Sequence, residues 1–197
     1  MVVIAILAAG LAVPNILAAL HSEKLRGAGS DFSGILQSGR IRAVQDNRFY
    51  SIYFSTGASQ QAYVDIYPQN PNGVSGNQGT AMDPKDPAIV VPSEVSVMGA
   101  GSAPNTSGLK GLFLPAGSGL PVNDGSTVAT PITFSPRGLP CTEQSATGGT
   151  VCDSAGGATA FWVFFQNNLN QQWEAVTVSP SGRIQKWAYN QGWATIS

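Results

Sequence analysis

The chain has 197 residues, and Asp, Glu, Lys and Arg make up only 11% of them, against about 25% in ordinary soluble proteins. Its net charge of −1 provides no electrostatic reason to expect binding to nucleic acid or to an acidic membrane surface. The length suits one folded domain with an additional N-terminal segment. A low-charge surface rich in Ser, Thr and Gly suits subunits that pack densely.

The N-terminal run is the most distinctive part of the sequence, because its first twenty residues carry no charged side chain and His21 is the first ionisable one. As a helix, such a run would be about 30 Å long, which is the thickness of the hydrocarbon core of a bilayer. It lacks the basic start of a secretory signal peptide. A membrane anchor and the core of a helical polymer remain as interpretations.

The segment MVVIAIL, followed by small residues and AVPN, resembles the N-terminal segment of the type IV pilin superfamily, which includes pilus subunits and the pseudopilins of type II secretion. The methylated Phe and the Glu that normally open that motif are absent here. The resemblance implies a long helix whose residues 1–24 form a polymer core or a membrane segment, while residues 25–47 pack on a globular head. The polymer-core residues that it implies are Val2, Val3, Ile4, Ile6, Leu7, Leu11, Val13, Pro14, Ile16, Leu17 and Leu20.

Beyond this run, apolar residues recur at helical spacing and predict one stripe that packs on the head. The stripe consists of Leu25, Phe32, Ile35, Leu36 and Val44. Gly27, Gly29, Gly34 and Gly39 interrupt it, each at a cost to the helix of about 1 kcal/mol. Together with Pro14, which cannot donate a helical hydrogen bond, the glycines predict a bend or a non-helical gap within residues 10–30. The helix is expected to end near Asp46 and Asn47.

The rest of the chain has the pattern of a β-rich head. Residues 49–54 and 62–67 alternate aromatic and β-branched side chains and predict two strands joined by a turn at 55–59, and residues 68–87 predict a long surface loop. The further predicted strands are 88–91, 94–98, 110–114, 127–134, 159–165, 173–178 and 183–189. The predicted fold class is α+β, with a long apolar N-terminal helix (1–47) packed on a mainly antiparallel β head (48–197).

Two copies of one motif stand in the C-terminal half, where a strand is followed by Ser-Pro and then a Gly-containing turn. They are Ser135-Pro136-Arg137-Gly138 and Ser179-Pro180-Ser181-Gly182. Pro presets the first turn position and Gly accepts a positive φ, so each copy predicts a tight turn. Downstream of the pilin-like N-terminus, the pair resembles the head of the H-type minor pseudopilins and related minor pilins, and LRGAGSDFSGILQSGRIRAVQDNRFYSIYF is similar to their helix-to-first-strand region.

Cys141 and Cys152 are the only cysteines and enclose the flexible loop 141–152. A disulfide between them would stabilise the fold by about 3 kcal/mol in the chain-entropy model, and disulfides persist outside the cytosol. The alternative is two free thiols. No His or third Cys lies near, so no metal site is predicted.

Motifs for catalysis are weak. A Ser-His-Asp or Cys-His arrangement would need His21, the only histidine, which ends the uncharged run and is interpreted as an interfacial polar residue. Asp83 and Asp86 are interpreted as solvated loop charges rather than calcium ligands, and Asn105-Thr106-Ser107 is a weak glycosylation pattern. We therefore predict no enzyme, no cofactor and no metal.

Aromatic residues crowd the last forty positions, with tryptophans at Trp162, Trp173, Trp187 and Trp193. Core packing explains most of them, and an exposed face that binds surface glycans is the alternative. Taken together, the sequence predicts a structural subunit of a type IV pilus-like filament on the bacterial surface, with an inner-membrane precursor. Its partners would be identical or homologous pilins, and nucleic acid is not favoured. The alternative is a minor pilin or pseudopilin at a filament tip that acts in adhesion, DNA uptake or protein secretion.

Overall fold

The computed structural model describes residues 2–54, 60–67, 87–126, 131–142 and 159–196, with side chains from Ala19 onward except those of 66 and 67. Two helices are present, α1 (Val2–Gln45) and α2 (Thr106–Phe113). Eleven strands accompany them: β1 (Phe49–Phe54), β2 (Gln61–Tyr67), β3 (Ala88–Val90), β4 (Val95–Met98), β5 (Val122–Asp124), β6 (Ile132–Phe134), β7 (Pro140–Cys141), β8 (Ala160–Asn167), β9 (Trp173–Val178), β10 (Ile184–Tyr189) and β11 (Trp193–Ile196).

The strands form two sheets. The first has the order β3-β2-β1-β6-β7 and the second the order β11-β10-β9-β8-β4. All of these pairs are antiparallel, and the one parallel pair in the described part is β5 on β8. The predicted α+β class with a mainly antiparallel head is confirmed.

The prediction of a long apolar N-terminal helix is wrong for the part of α1 whose side chains are described. Residues 19–45 include six charged ones, Glu23, Lys24, Arg26, Asp31, Arg40 and Arg42, so this part is an amphipathic helix of the head rather than an apolar rod. Among the residues that the structure describes, no helix combines the length and the apolarity needed to cross a bilayer.

Of the predicted bend or non-helical gap within residues 10–30, the gap is also wrong, because α1 is continuous from Val2 to Gln45, whereas the bend stays a prediction. The helical hydrogen-bond ladder loses only one donor at a proline, and packing of the amphipathic face outweighs weak glycine propensity. The predicted end of the helix is confirmed. Asn47 is left-handed, with a φ of 51°, and the N–H of Arg48 donates to the carbonyl of Ala43 at 3.2 Å, as in a Schellman cap.

α1 lies across both sheets, and the main hydrophobic core fills the space between them. Phe32 of α1 is fully buried and stacks on Phe54 of the first sheet at a centroid distance of 5.2 Å. The same ring packs edge to face against Phe165 of the second sheet, at a centroid distance of 5.5 Å. The predicted stripe residues Leu25, Phe32, Ile35 and Leu36 are buried, whereas Val44 is exposed.

A second core lies on the opposite face of the second sheet, beneath α2. Alternation along β8 divides the two cores, because successive strand residues face opposite sides. Phe161, Val163 and Phe165 face the main core, whereas Ala160 and Phe164 face the second. Leu109 and Phe113 of α2 cover Phe164 and two tryptophans, Trp187 and Trp193.

Several strand predictions need correction. Residues 110–114 were predicted as a strand but lie in and just after α2, where the side chain of Asn105 caps the helix by accepting from the N–H of Gly108. The short strands β5, β7 and β11 were not predicted. Of the predicted strand 127–134, residues 127–130 lie outside the described part, as do the loop 68–86, the turn 55–59 and most of the loop 141–152.

Candidate functional site

The two Ser-Pro motifs form two turns with the same hydrogen bonds, as predicted. Gly138 donates its N–H to the carbonyl of Ser135 at 2.7 Å, and Gly182 donates to that of Ser179 at 2.8 Å. Both glycines are left-handed, with φ of 72° and 78°, which suits Gly because it has no Cβ. One turn joins β6 to β7 in the first sheet, and the other joins β9 to β10 in the second. Each sheet therefore contributes one such turn.

The two turns meet at Arg40 of α1. The Nη1 atom of Arg40 donates to the carbonyl oxygen of Gly182 at 2.9 Å. A Cβ on Gly182 would lie 2.6 Å from the carbonyl oxygen of Gly138 and 3.3 Å from the guanidinium carbon. This close packing ties the C-terminal part of the helix to both sheets at one point.

A groove runs beside this junction, between the outer side of α1 and the second turn. Its volume is about 580 Å³, and we name it the Arg40 groove after the residue at its junction. The lining residues are Gln37, Arg40, Ile41, Val44, Gln45, Ser181, Arg183 and Ile184. Ile41 and Val44 are 54% and 52% exposed, and none of the lining side chains is acidic.

Arginine makes this groove cationic as well as apolar. Arg183 is exposed, and its guanidinium group has no hydrogen-bond or ion-pair partner within the described part of the chain. Arg40 uses one of its five N–H donors on Gly182. The groove can therefore accept an apolar side chain together with a carboxylate, which guanidinium groups bind through paired hydrogen bonds.

The N-terminal side of the head has a different polar cluster, where α1 leaves the sheets. Lys24 lies 2.6 Å from Oε1 of Glu94, and Nδ1 of His21 lies 3.4 Å from Oε2 of the same residue. Mainly through the hydrogen bond from Lys24, the pKa of Glu94 is held below its usual value. Asn167 donates to the backbone carbonyl of His21 at 2.9 Å. His21 thus helps to fix the exit of the helix.

The outer face of α1 next to this cluster is exposed. Leu20 is 52% exposed, and the exposed Glu23 one helical turn later has no partner within the described residues. Of the predicted polymer-core residues, Leu20 alone has a described side chain. The side chains of Val2, Val3, Ile4, Ile6, Leu7, Leu11, Val13, Pro14, Ile16 and Leu17 lie outside the described part.

One buried acid was not singled out from the sequence. Glu174 of β9 is 1% exposed and faces α1 at Gly29, where any Cβ would overlap the carboxyl group. Its Oε1 atom has no hydrogen-bond partner in the described part. Burial raises the pKa of Glu174 to about 7, although the charges of Lys186 and Arg26 oppose the shift.

Only one of the two cysteines of the predicted disulfide lies in the described part of the chain. Cys141 of β7 is disulfide-bonded, and no described cysteine is free. Its expected partner Cys152 lies outside the described part, so the pairing stays a prediction. Asp83 and Asp86 also lie outside it.

The C-terminal aromatic residues belong mainly to the second core. Trp187 and Trp193 are buried, and the indole N–H of Trp193 donates to the carbonyls of Pro104 and Asn105. Trp162 and Trp173 pack against the same cluster while partly exposed. Within the described residues, no three His, Cys, Asp or Glu side chains come together as metal ligands.

The sequence did not single out the Arg40 groove, because Arg40 and Arg183 are far apart in the chain. The signal that could have found it is the repeated Ser-Pro motif, since two like turns at the ends of two sheets would meet a common helix. No protein-family model, no curated protein and no solved structure matches the chain.

Proposed function

We propose that the chain is a structural subunit of a filament, assembled with identical or homologous subunits through the N-terminal side of α1. The observation that carries the proposal is the asymmetric use of this helix. From Leu25 onward one face of α1 is buried against both sheets, whereas Ala19 and Leu20, just before the head, are exposed. Ala19 and Leu20 continue the uncharged run of residues 1–18, and a contiguous apolar surface, unlike a single exposed side chain, marks an interaction site.

The sequence before Leu20 supports the same proposal, because it holds no charged residue. A stretch of this kind lowers its free energy by leaving water, either between neighbouring subunits or in a lipid bilayer. The resemblance to type IV pilins favours both environments in succession. The stretch lies in the inner membrane in the precursor and between neighbouring subunits in the filament on the bacterial surface. The disulfide at Cys141 supports a location outside the cytosol.

A minor pilin or pseudopilin at a filament tip is the second candidate, because the Arg40 groove offers a cationic, apolar surface to a partner. The two candidates differ in one property. A main subunit polymerises alone into long fibres, whereas a tip subunit needs another pilin.

The test of the filament proposal compares full-length chains by negative-stain electron microscopy and by sedimentation. We expect fibres from the unmodified chain and none from Ile4→Lys, because a charge placed in an apolar bundle costs several kcal/mol. Leu169→Lys is the matched control, because Leu169 is an exposed leucine of the head. It should form fibres normally. A chain that stays monomeric, alone and with other pilins, would contradict the proposal, as would fibres from Ile4→Lys.

A further inference from the structure

The Arg40 groove needs an occupant that combines an apolar side chain with a negative charge. Ile41 and Val44 expose apolar surface in it, the guanidinium group of Arg183 has no partner within the described residues, and no lining side chain is acidic. The complementary surface is an exposed acid next to an exposed large apolar side chain.

Most described acids are already engaged. Glu94 pairs with Lys24, Asp46 accepts from the hydroxyl of Tyr50, and Asp124 accepts from Ser126 and from the N–H of Ala100. Asp65 also has a partner, and Glu174 is buried.

Two exposed and unpaired acids remain in the described part, Glu23 and Asp31, and both lie on α1. Only Glu23 has an exposed large apolar residue one helical turn away, which is Leu20. Leu20 and Glu23 thus present the complementary pair, an apolar side chain beside a carboxylate.

A single chain cannot bring this pair into its own groove. Leu20 and Ile41 lie on the same continuous helix, 21 residues apart, which corresponds to about 30 Å along the axis. The occupant must therefore come from a second copy.

We propose, on the basis of the filament function above, that Leu20 and Glu23 of one copy bind in the Arg40 groove of the next copy. Leu20 packs on Ile41 and Val44, and the Glu23 carboxylate accepts hydrogen bonds from Arg183 and Arg40. The contact joins two different surfaces, so each copy keeps one of them free and the contact repeats along the assembly. Two parallel helices in this contact are displaced by about 30 Å along their axes.

The outer face of α1 between the two contact points allows another helix to approach. A Cβ on Gly27 or on Gly34 would meet nothing within 4 Å. The space in front of both glycines is therefore open to a neighbouring helix.

The test is a charge exchange in the full-length chain, read as the critical concentration for sedimentation of filaments. Glu23→Arg and Arg183→Glu should each raise it at least about tenfold by placing like charges together. The double variant should lower it again to below either single variant, because the charges at positions 23 and 183 attract once more, although the unchanged Arg40 then repels the cation at position 23. Leu169→Arg at an exposed position of the head and Lys110→Glu on α2 are the controls, because both lie away from α1, and they should leave it unchanged. Far-UV circular dichroism spectra equal to that of the unmodified chain show that the single variants fold.

Cysteine cross-linking gives a second readout. A chain carrying Leu20→Cys mixed with one carrying Ile41→Cys should give a covalent heterodimer on oxidation, whereas Leu20→Cys mixed with Leu112→Cys should not. Normal filaments from both charge variants, or a double variant no better than the single ones, would overturn the contact and leave the filament function standing. If the unmodified chain forms no filaments, the filament function fails. The proposed contact is then tested by the cross-linking experiment in concentrated solution, and the absence of the Leu20→Cys to Ile41→Cys cross-link would overturn the contact.

Discussion

Glu174 is the residue whose environment is least expected from the sequence. A carboxyl group is buried beneath a helix at Gly29, where the absence of a side chain gives it room. The positive charges of Lys186 and Arg26 do not compensate for its loss of hydration, and its pKa rises to about 7. The folded state therefore binds a proton more tightly than the unfolded chain, in which the pKa is near 4.5.

This difference predicts a pH dependence of stability. The contribution of protonated Glu174 is fully present below about pH 4.5 and is lost as the pH rises through about 7, where the carboxyl group ionises in place. We expect the free energy of unfolding to fall over this interval by on the order of 3 kcal/mol, measured by urea denaturation. Glu174→Gln should remove most of this slope and should be the more stable protein at pH 8. Asp31→Asn is the control at an exposed acid. An unchanged slope in Glu174→Gln would contradict the assignment.

At the scale of elements, the two Ser-Pro turns illustrate what a local motif reveals. Their sequences predict the turn and the positive φ of Gly138 and Gly182, and both are confirmed. Their contact across Arg40 was not predictable, since Arg40 and Gly182 are 142 residues apart. A long-range contact of this kind depends on how the sheets are arranged.

Helix and strand predictions were right where side chains alternate over several residues, as in β1 and in the buried stripe of α1. They were wrong where tertiary packing determines which side chains are buried or whether a segment forms a helix or a strand. Val44 was assigned to the stripe, yet it lies about 100° around the helix axis from its neighbour Ala43. Ala43 is fully buried, whereas Val44 faces away from the core and is exposed. Residues 110–114 have a strand-like composition, but the cap at Asn105 and the spacing of Leu109 and Phe113 specify a helix.

Replacing Gly182 tests the junction of the two turns. We expect Gly182→Ala to lower the free energy of unfolding by about 2–3 kcal/mol, because alanine is strained at a φ of 78° and its Cβ would overlap the carbonyl oxygen of Gly138. Gly111→Ala is the matched control, because that glycine is in the interior of α2 with open space around it. The control should gain up to about 1 kcal/mol. Equal effects of the two changes in thermal unfolding would contradict a strained junction.

At the scale of the whole molecule, α1 makes two sheets into one folding unit. Phe32 and its neighbours on the helix belong to the core that residues of both sheets share. The outer core beneath α2 belongs to the second sheet alone. All four tryptophans lie on the second sheet, in strands β8 to β11. Tryptophan fluorescence therefore reports on this sheet, whereas far-UV circular dichroism reports on the whole molecule.

Phe32→Ala tests whether the unit unfolds as one. The change removes a ring that contacts Phe54 on one sheet and Phe165 on the other, and it leaves a cavity between them. We expect a loss of about 3–5 kcal/mol, with fluorescence and dichroism following a single urea transition at a lower midpoint. Phe32→Leu should show the same single transition with a smaller loss, because it keeps most of the apolar volume. A fluorescence midpoint that stays unchanged while the dichroism midpoint falls would mean that the second sheet folds without the helix. In that case α1 would be an element docked on the head rather than its common core.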